Sequence, residues 1–333
     1  MSGTWIVIVN YRTAELVVEC LRSLSTHAID LVNVRLVVVD NASEDGSVEK
    51  LNAAIEQEGW FSWATVMPLD KNGGFAYGNN ASIRMAMATK EPVDYVMLLN
   101  PDTVIRPGAV KTLVDFMDAN PEVGIAGSRL ENVNGEVECS AHTFPSPLSG
   151  LDEGARLGVL SRLLHRYAVT FPMKQVAHSC DWVSGASMII RRQVFEDIGL
   201  LDEGFFLYFE EVDFCYRVRQ SGWQCWYVPD SRVIHLEGAS TEIGATTKRR
   251  ANYWFDSRRR FYVKHYGIAG LIATDTFWLT GRFIFLLRRV FHLGTRNNAN
   301  DIPKRFMLDL LWGDLQAIFS GKVWNITSSK QRR

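Results

Sequence analysis

The sequence predicts an α/β fold with a doubly wound, mainly parallel sheet, on three observations. Short apolar runs at residues 5–9, 34–39 and 95–99 alternate with helical patterns, the order that packs helices on both faces of a parallel sheet. The run 95–99 is five apolar residues in succession, as a strand covered on both faces requires. Two of the runs end in an acid: Asp40 directly, and Asp102 after Asn100-Pro101. Proline halts the ladder by removing a donor, and ligands of open α/β sheets bind at the carboxyl ends of the strands.

At 333 residues the chain can bury a full core, with room for an appendage. Its five cysteines (20, 139, 180, 215 and 225) are scattered and show no CxxC spacing, which argues against a disulfide framework or zinc site and for a reducing compartment. The first strand starts almost at Met1 without a basic leader, so no secretory signal is expected. No stretch of 18 residues is free of charge, so no membrane span is expected either. The net charge of −1 hides an asymmetry: residues 244–333 hold 17 Lys/Arg against five Asp, a surplus of +12, which leaves −13 on the rest. An acidic body with a basic tail points to an anionic surface as partner; nothing calls for nucleic acid.

After the first strand, Thr13 can cap a helix whose apolar face is Leu16, Val17, Cys20, Leu21 and Leu24. The intervening loop Asn10-Tyr11-Arg12-Thr13 lacks glycine, which excludes both a GxGxxG dinucleotide loop and a P-loop there. The second strand ends at Asp40-Asn41-Ala42-Ser43, before a helix at 46–58. Asp40 can accept the imide N–H of a uracil or thymine ring; an Asx-turn is the plain alternative. Lys71-Asn72-Gly73-Gly74-Phe75-Ala76-Tyr77-Gly78-Asn79-Asn80 then opens a helix. Its glycines allow close backbone approach, and its amides favour a diphosphate, unless the loop is only a surface turn. Pro107 starts the next helix, and a short strand is expected at 123–126.

Residues 131–179 say least. Asn134-Gly135 signals a hairpin, 157–167 a short helix, and position alone suggests a mobile or acceptor-facing insert. Cys180-Asp181-Trp182-Val183-Ser184-Gly185-Ala186 follows, then a strand at 187–190 and a helix from Gln193. Trp182 can floor a sugar site or fill the core. Next, an aromatic run leads into Glu210-Glu211-Val212-Asp213. Acids stabilise a helix N-terminus, and Glu210, Asp213 and Arg217 share one face. A carboxylate desolvated by aromatic neighbours is also a better proton acceptor, and Glu211 points away from that face. A strand at 224–228 leads through Pro229 to Val233-Ile234-His235, where the histidine is a core residue or a metal ligand.

From about residue 251 the pattern becomes aromatic and basic. Residues 268–293 are mostly apolar, with Asp275, Arg282 and Arg289 forming a narrow polar stripe. Residues 303–319 place Leu308, Leu311, Trp312, Leu315 and Ile318 on one face. Both segments suit helices lying in the plane of a membrane; a helical hairpin packed on the protein, or in a homo-oligomer interface, is the alternative.

Taken in order, the motifs ending in Tyr11, Asp40, Asn80 and Asp102, then Trp182–Ala186, Phe209–Asp213 and Val233–His235, resemble the inverting, nucleotide-sugar-dependent glycosyltransferases of family 2. They look most like the bacterial rhamnosyltransferases of surface polysaccharide synthesis. The resemblance covers residues 4–240. It implies a GT-A fold over residues 1–243 with a basic helical tail at 244–333, a dTDP- or UDP-linked sugar donor (dTDP-L-rhamnose first) and Mg²⁺ or Mn²⁺. It also implies a glycan or polyprenyl-linked acceptor and a peripheral place on the cytoplasmic face of the inner membrane. By the same resemblance Val9, Asn10 and Tyr11 line the base pocket and Asp40 holds the pyrimidine. Asn72, Gly73, Gly74, Gly78 and Asn79 follow the ribose and diphosphate, while Asp102 and His235 bind the metal. Glu211 is the base, and Trp182, Gly185 and Glu210 face the sugar and acceptor. Asn100 departs from the family's Asp-x-Asp pattern, although many rhamnosyltransferase-like members share Asn-Pro-Asp. Two rivals stand: a sugar nucleotidyltransferase, which needs a glycine-rich basic loop after the first strand, and a non-catalytic nucleotide-sugar-binding subunit of a membrane assembly.

Overall fold

The computed structural model describes residues 2–27, 33–236, 249–291, 302–323 and 326. The expected boundary at 243/244, and residues 292–293 of the apolar run, lie outside them. In chain order the elements are β1 (Thr4–Asn10), α1 (Ala14–His27), β2 (Val34–Asp40), α2 (Ser47–Gln57), β3 (Ala64–Pro68), α3 (Phe75–Ala88) and β4 (Tyr95–Leu99). They continue with β5 (Thr103–Ile105), α4 (Ala109–Ala119), β6 (Val123–Glu131), β7 (Ala141–His142), α5 (Pro147–Ala155), α6 (Gly158–Leu163), β8 (His178–Cys180) and β9 (Trp182–Val183). Last come β10 (Ser187–Arg191), α7 (Arg192–Ile198), α8 (Glu210–Gln220), β11 (Gln224–His235), α9 (Asn252–Val290) and α10 (Phe306–Phe319).

The chain divides into two compact units. The first takes residues 1–142, 172–206 and 210–241; the second takes 143–171, 207–209 and 242–333. In the first, one sheet runs β3-β2-β1-β4-β10-β6-β11-β5, with β8 added to β11. Strands β3, β2, β1 and β4 are parallel, β10 opposes both of its neighbours, and β6 and β11 run parallel to each other. Because β10 is antiparallel to β4 and to β6, the carboxyl ends of β1, β2, β4, β6 and β11 share one edge of the sheet. β1 and β4 are buried along their whole length, and Val17, Cys20, Leu21 and Leu24 of α1 pack into the same core, as their spacing predicts.

Two expectations on strands need correction. The strand expected at 123–126 runs on to Glu131, because it pairs with both β10 and β11. The two pieces expected around Pro229 form one strand, β11, whose register against β6 slips between Val228 and Arg232. Proline cannot donate to the ladder, and the extra residues bulge out there.

The second unit is built on α9, which departs from helical geometry at Gly267 (φ 71°, ψ 179°). By length and composition α9 suffices to cross a membrane, unlike what the spacing of charges suggests, with 33% of its most apolar stretch buried. Two of the three residues of its polar stripe turn inward: Asp275 and Arg282 are buried, while Arg289 is exposed. Arg258 bonds Asp275 at 2.6 Å and Asp314 at 3.3 Å, and Arg259 bonds Asp314 at 2.5 Å. Gly154 of α5 and Gly281 of α9 meet backbone to backbone, where a Cβ on either would collide. Meanwhile Ile272, Phe283, Leu287, Val290, Leu308, Trp312 and Phe319 are exposed. This unit thus buries an ion network beside an apolar core of Phe255, Trp278 and Leu310, and still leaves large apolar side chains outside.

Candidate active site

Asn10, the last residue of β1, ties the sheet edge together. Its Oδ1 accepts from the backbone N–H and hydroxyl of Thr13, which starts α1. Its Nδ2 donates to Asp40 Oδ1 at 2.7 Å and to Ser43 Oγ at 3.2 Å. Asp40, nearly inaccessible, accepts two further bonds, from the Ser43 amide and the Ser43 hydroxyl. A carboxylate offers about four acceptor positions, so the protein itself takes three of Asp40's. The Asx-type turn is therefore present, with capacity left for one more donor. Tyr11 stands exposed beside it, with the Arg12 guanidinium 5.2 Å from its ring centre. Arg12, at φ 59°, donates to Ser43 through its amide and its Nε.

Asn41 joins this edge to the glycine loop, donating to Asn72 Oδ1 at 2.9 Å and to the Gly74 carbonyl at 3.1 Å. The loop's own amides are partly spent. Gly73 donates to Asn41, Gly74 to Asn72, and Phe75 to the Phe206 carbonyl at 2.8 Å. Gly74 is at φ 89°, and a Cβ there would overlap the Phe206 carbonyl. Gly78 bonds back to Gly74, and its Cβ would lie 2.8 Å from Val9 Cγ1, so this glycine seats α3 on the end of β1. Asn79 donates to the Phe75 carbonyl, while its buried Oδ1 has no partner among the described residues.

Across the edge, Asp102 is buried and its Oδ1 lies 3.4 Å from Nε2 of His235. The Asn100 side-chain nitrogen is 3.5 Å from the same Nε2. Strand β5 puts Thr103 opposite His235, and the Leu236 amide closes the pair on the Asp102 carbonyl at 2.9 Å. Among the described residues no cluster of three or more His, Cys, Asp or Glu side chains could hold a metal. Asp102 and His235 thus stand as two adjacent donors.

The segment between β9 and β10 links this pair to α8. The Asn100 amide donates to the Ala186 carbonyl at 3.0 Å. A Cβ on the preceding residue, Gly185, would lie 3.6 Å from the Phe75 ring and 3.8 Å from the Cβ of Glu211. Trp182 stacks on His142, with ring centres 4.0 Å apart and planes 15° apart, so one ring face is taken by an imidazole that sequence reasoning did not single out.

α8 begins directly after Tyr208 and Phe209, at φ 69° and 67°. Two bulky residues in succession with left-handed backbone are strained, and such strain persists only where the surroundings impose it. Asp213 pairs with Arg217 at 3.0 Å, and Arg217 also donates to the carbonyls of Ile198 and Leu200. Glu210 takes no part in that pair. It is buried, and burial together with the charge of Glu211 pushes its carboxyl well above the usual range. Glu211 is half-buried as a residue, but its Oε2 has neither solvent contact nor a partner among the described residues, and burial pushes its carboxyl up to about 7. Adjacent carboxyls of this kind, one held neutral and one poised near neutrality, suit proton transfer.

A twisted sheet with acids along one carboxyl edge and a poised carboxylate on a neighbouring helix defines a group-transfer site. The model of "Glycosyl transferase family 2" matches residues 5–199. The chain is 30% identical over 219 residues to the N-acetylglucosaminyl-diphospho-decaprenol L-rhamnosyltransferase of Mycobacterium tuberculosis, covering 62% of this chain and 68% of that one. It is 25% identical over 237 residues to the dTDP-rhamnosyl transferase RfbF of Shigella flexneri, covering 71% and 70%. Among solved structures, the mannosyltransferase PcManGT of Pyrobaculum calidifontis, in complex with GDP-Man and Mn²⁺, superposes at TM-score 0.55 and 15% identity over 95% of this chain and 80% of its own. GalNAc-T7 with UDP, GalNAc and Mn²⁺ gives 0.56 at 15% identity, over 95% and 58%. The chain belongs to glycosyl transferase family 2 and has the GT-A fold.

Proposed function

We propose that this glycosyltransferase transfers L-rhamnose, with inversion, from dTDP-L-rhamnose to a hydroxyl of a lipid-linked glycan in surface polysaccharide synthesis. The observation that carries the reading is Glu211: a carboxylate beside Gly185 with an inaccessible oxygen, unpartnered among the described residues, and a proton affinity near neutrality. In a single displacement the acceptor oxygen attacks the anomeric carbon and gives its proton to Glu211. The bond from that carbon to the diphosphate breaks, and its electron pair leaves with the nucleotide. Asp40 has one acceptor position left for a pyrimidine imide, and Tyr11 offers an exposed ring beside it. The donor sugar follows the relatives' names, which specify rhamnosyl transfer.

Asp102 and His235 fit a divalent cation as a partial site: one hard oxygen and one imidazole nitrogen, with further positions left to phosphate oxygens and water. Mg²⁺ or Mn²⁺ held there would neutralise charge on the departing diphosphate. The test is direct. The purified chain is incubated with dTDP-L-rhamnose or UDP-hexoses, a polyprenyl diphospho-sugar acceptor, and Mn²⁺ or EDTA, and the anomeric configuration of the product is read by NMR. A rhamnosylated product with inverted configuration supports the reading. Donor binding without turnover would instead favour a non-catalytic binding subunit.

The domain reading is that residues 1–243 catalyse and the tail docks on an anionic membrane surface. Its support is the set of large apolar side chains that the second unit leaves exposed, Phe283, Val290, Trp312 and Phe319 among them. Apolar side chains among basic ones suit the boundary between lipid headgroups and acyl chains.

A further inference from the structure

Besides the residues assigned above, the sheet edge carries a second charged cluster. Glu131 ends β6 and its side chain is inaccessible to solvent. Three arginines surround it. Arg232 is bidentate, with Nε to Oε1 at 2.7 Å and Nη2 to Oε2 at 3.2 Å. Arg129 Nε lies 3.1 Å from Oε1, and Arg106 Nε 3.6 Å from Oε2. Among the described residues Glu131 is the only acid that pairs with any of the three. The cluster keeps a surplus of two positive charges.

The donors are not used up. Each guanidinium carries five N–H groups, yet the described residues take two from Arg232, one from Arg129 (to Gln175 at 2.9 Å) and none from Arg106 in hydrogen-bond geometry. The side chains of Arg232 and Arg106 are 49% and 40% exposed. Guanidinium forks held in place by one buried carboxylate, two of them partly open to solvent, match the oxygens of a phosphate or diphosphate.

Position narrows the ligand. β6 and β11 deliver this cluster to the same sheet edge as Asp102, since both run parallel to β4. In register, Arg129 faces Arg232 and Glu131 faces Ile234, one residue before His235. Side chains alternate along a strand, so the arginines lie on the opposite face from His235. Arg232 and His235 are three positions apart, about 10 Å along the strand. Gly127, on the arginines' face of β6, meets Val183, two residues before the Gly185 that flanks Glu211, so the cluster lies on the side of the sheet where the acceptor hydroxyl would give up its proton.

We propose that Arg106, Arg129 and Arg232, positioned by Glu131, bind the diphosphate that joins the acceptor sugar to its lipid. This rests on the reading that the acceptor is lipid-linked. The test uses the full chain in EDTA with its donor site saturated by dTDP, titrated calorimetrically with inorganic pyrophosphate. Saturable binding is expected, weakened at least tenfold in Arg106→Gln/Arg232→Gln and retained within threefold in Arg106→Lys/Arg232→Lys. With a polyprenyl diphospho-sugar, the Gln variant should raise the acceptor KM at least tenfold and leave kcat and donor KM within threefold. If the double variant does not fold, Arg106→Gln alone, at the longest of the ion pairs, should still weaken pyrophosphate binding at least threefold. No pyrophosphate binding by the wild type, or binding unchanged in the Gln variants, would overturn the proposal. So would a loss confined to phosphatidylglycerol vesicles, with pyrophosphate affinity and acceptor KM unmoved, which would assign the cluster to membrane headgroups. A chain that ignores dTDP yet loses pyrophosphate binding in the variants would count against the donor reading and not against this site.

Discussion

A Cβ placed on Gly185 would lie 3.8 Å from the Cβ of Glu211. The loop between β9 and β10 therefore passes about one methyl group away from the root of the proposed base, with no side chain of its own in between. Glu211→Gln keeps the shape of the side chain and removes its basicity. It should leave dTDP binding within a few-fold and lower kcat by about 10²–10⁴. Equilibrium titration and initial rates check both halves; turnover near wild type would place the base elsewhere.

The pH dependence follows from the same group. A base must be unprotonated to act, and burial raises the Glu211 carboxyl to about 7. Activity should therefore be full above that value and fall about tenfold per pH unit below it. A side chain with the ordinary carboxylate range would hold its rate down to about pH 5. The measurement is log kcat/KM between pH 5 and 9. Glu210, kept neutral by burial and by its neighbour's charge, should tolerate Gln, with the acid limb unmoved and kcat within about threefold.

Much of this site was legible because strand ends advertise themselves: apolar runs stop at Asp40 and Asp102, and both acids lie on the shared edge. The direction of the tail's polar stripe was not legible. Periodicity gathers Asp275 and Arg282 on one side of a helix but cannot say whether that side meets water or Arg258. The arginine cluster was equally hidden, because Arg106, Arg129 and Arg232 meet only through strand pairing across more than a hundred residues. Asn10 shows a third kind of limit. A polar residue at a ligand edge reads as a ligand contact, yet both ends of its amide are spent on Thr13, Asp40 and Ser43. Trp182 was read as a sugar platform or a core residue, and nothing near it in the chain announced that His142 covers one face.

The glycine loop gives a graded prediction. At Gly78 an added methyl meets Val9 Cγ1 at 2.8 Å, a side-chain contact that a small shift of α3 can relieve. Gly78→Ala should cost about 1–3 kcal/mol, as overpacking in a fitted core does. At Gly74 the obstacle is the backbone carbonyl of Phe206, which accepts from Phe75, and φ is positive as well. Gly74→Ala should cost more than Gly78→Ala and also weaken nucleotide binding. Urea unfolding midpoints and dTDP titrations rank the two; equal midpoints would mean that the Phe206 contact contributes little.

The second unit separates stability from membrane binding. Asp314 is buried between Arg258 and Arg259, and Asp314→Ala removes the partner they share, leaving Arg258 with Asp275 and Arg259 with the exposed Asp256. Breaking a buried ion pair from one side costs about 3–5 kcal/mol, so this variant should melt well below the wild type. Trp312 and Phe319, on the same helix, are 65% and 86% exposed. Replacing both with Glu removes little packing, so the melting temperature should stay within about 2 °C. If these rings enter the headgroup boundary, each contributes about 1.5–3 kcal/mol on burial. The double substitution should then weaken binding to phosphatidylglycerol vesicles by about 100-fold or more, since 1.4 kcal/mol is tenfold. Sedimentation with vesicles, beside thermal melts of the same preparations, distinguishes the roles. A Trp312→Glu/Phe319→Glu protein that melts normally and still pellets with the lipid would show that this face of α10 does not enter the membrane.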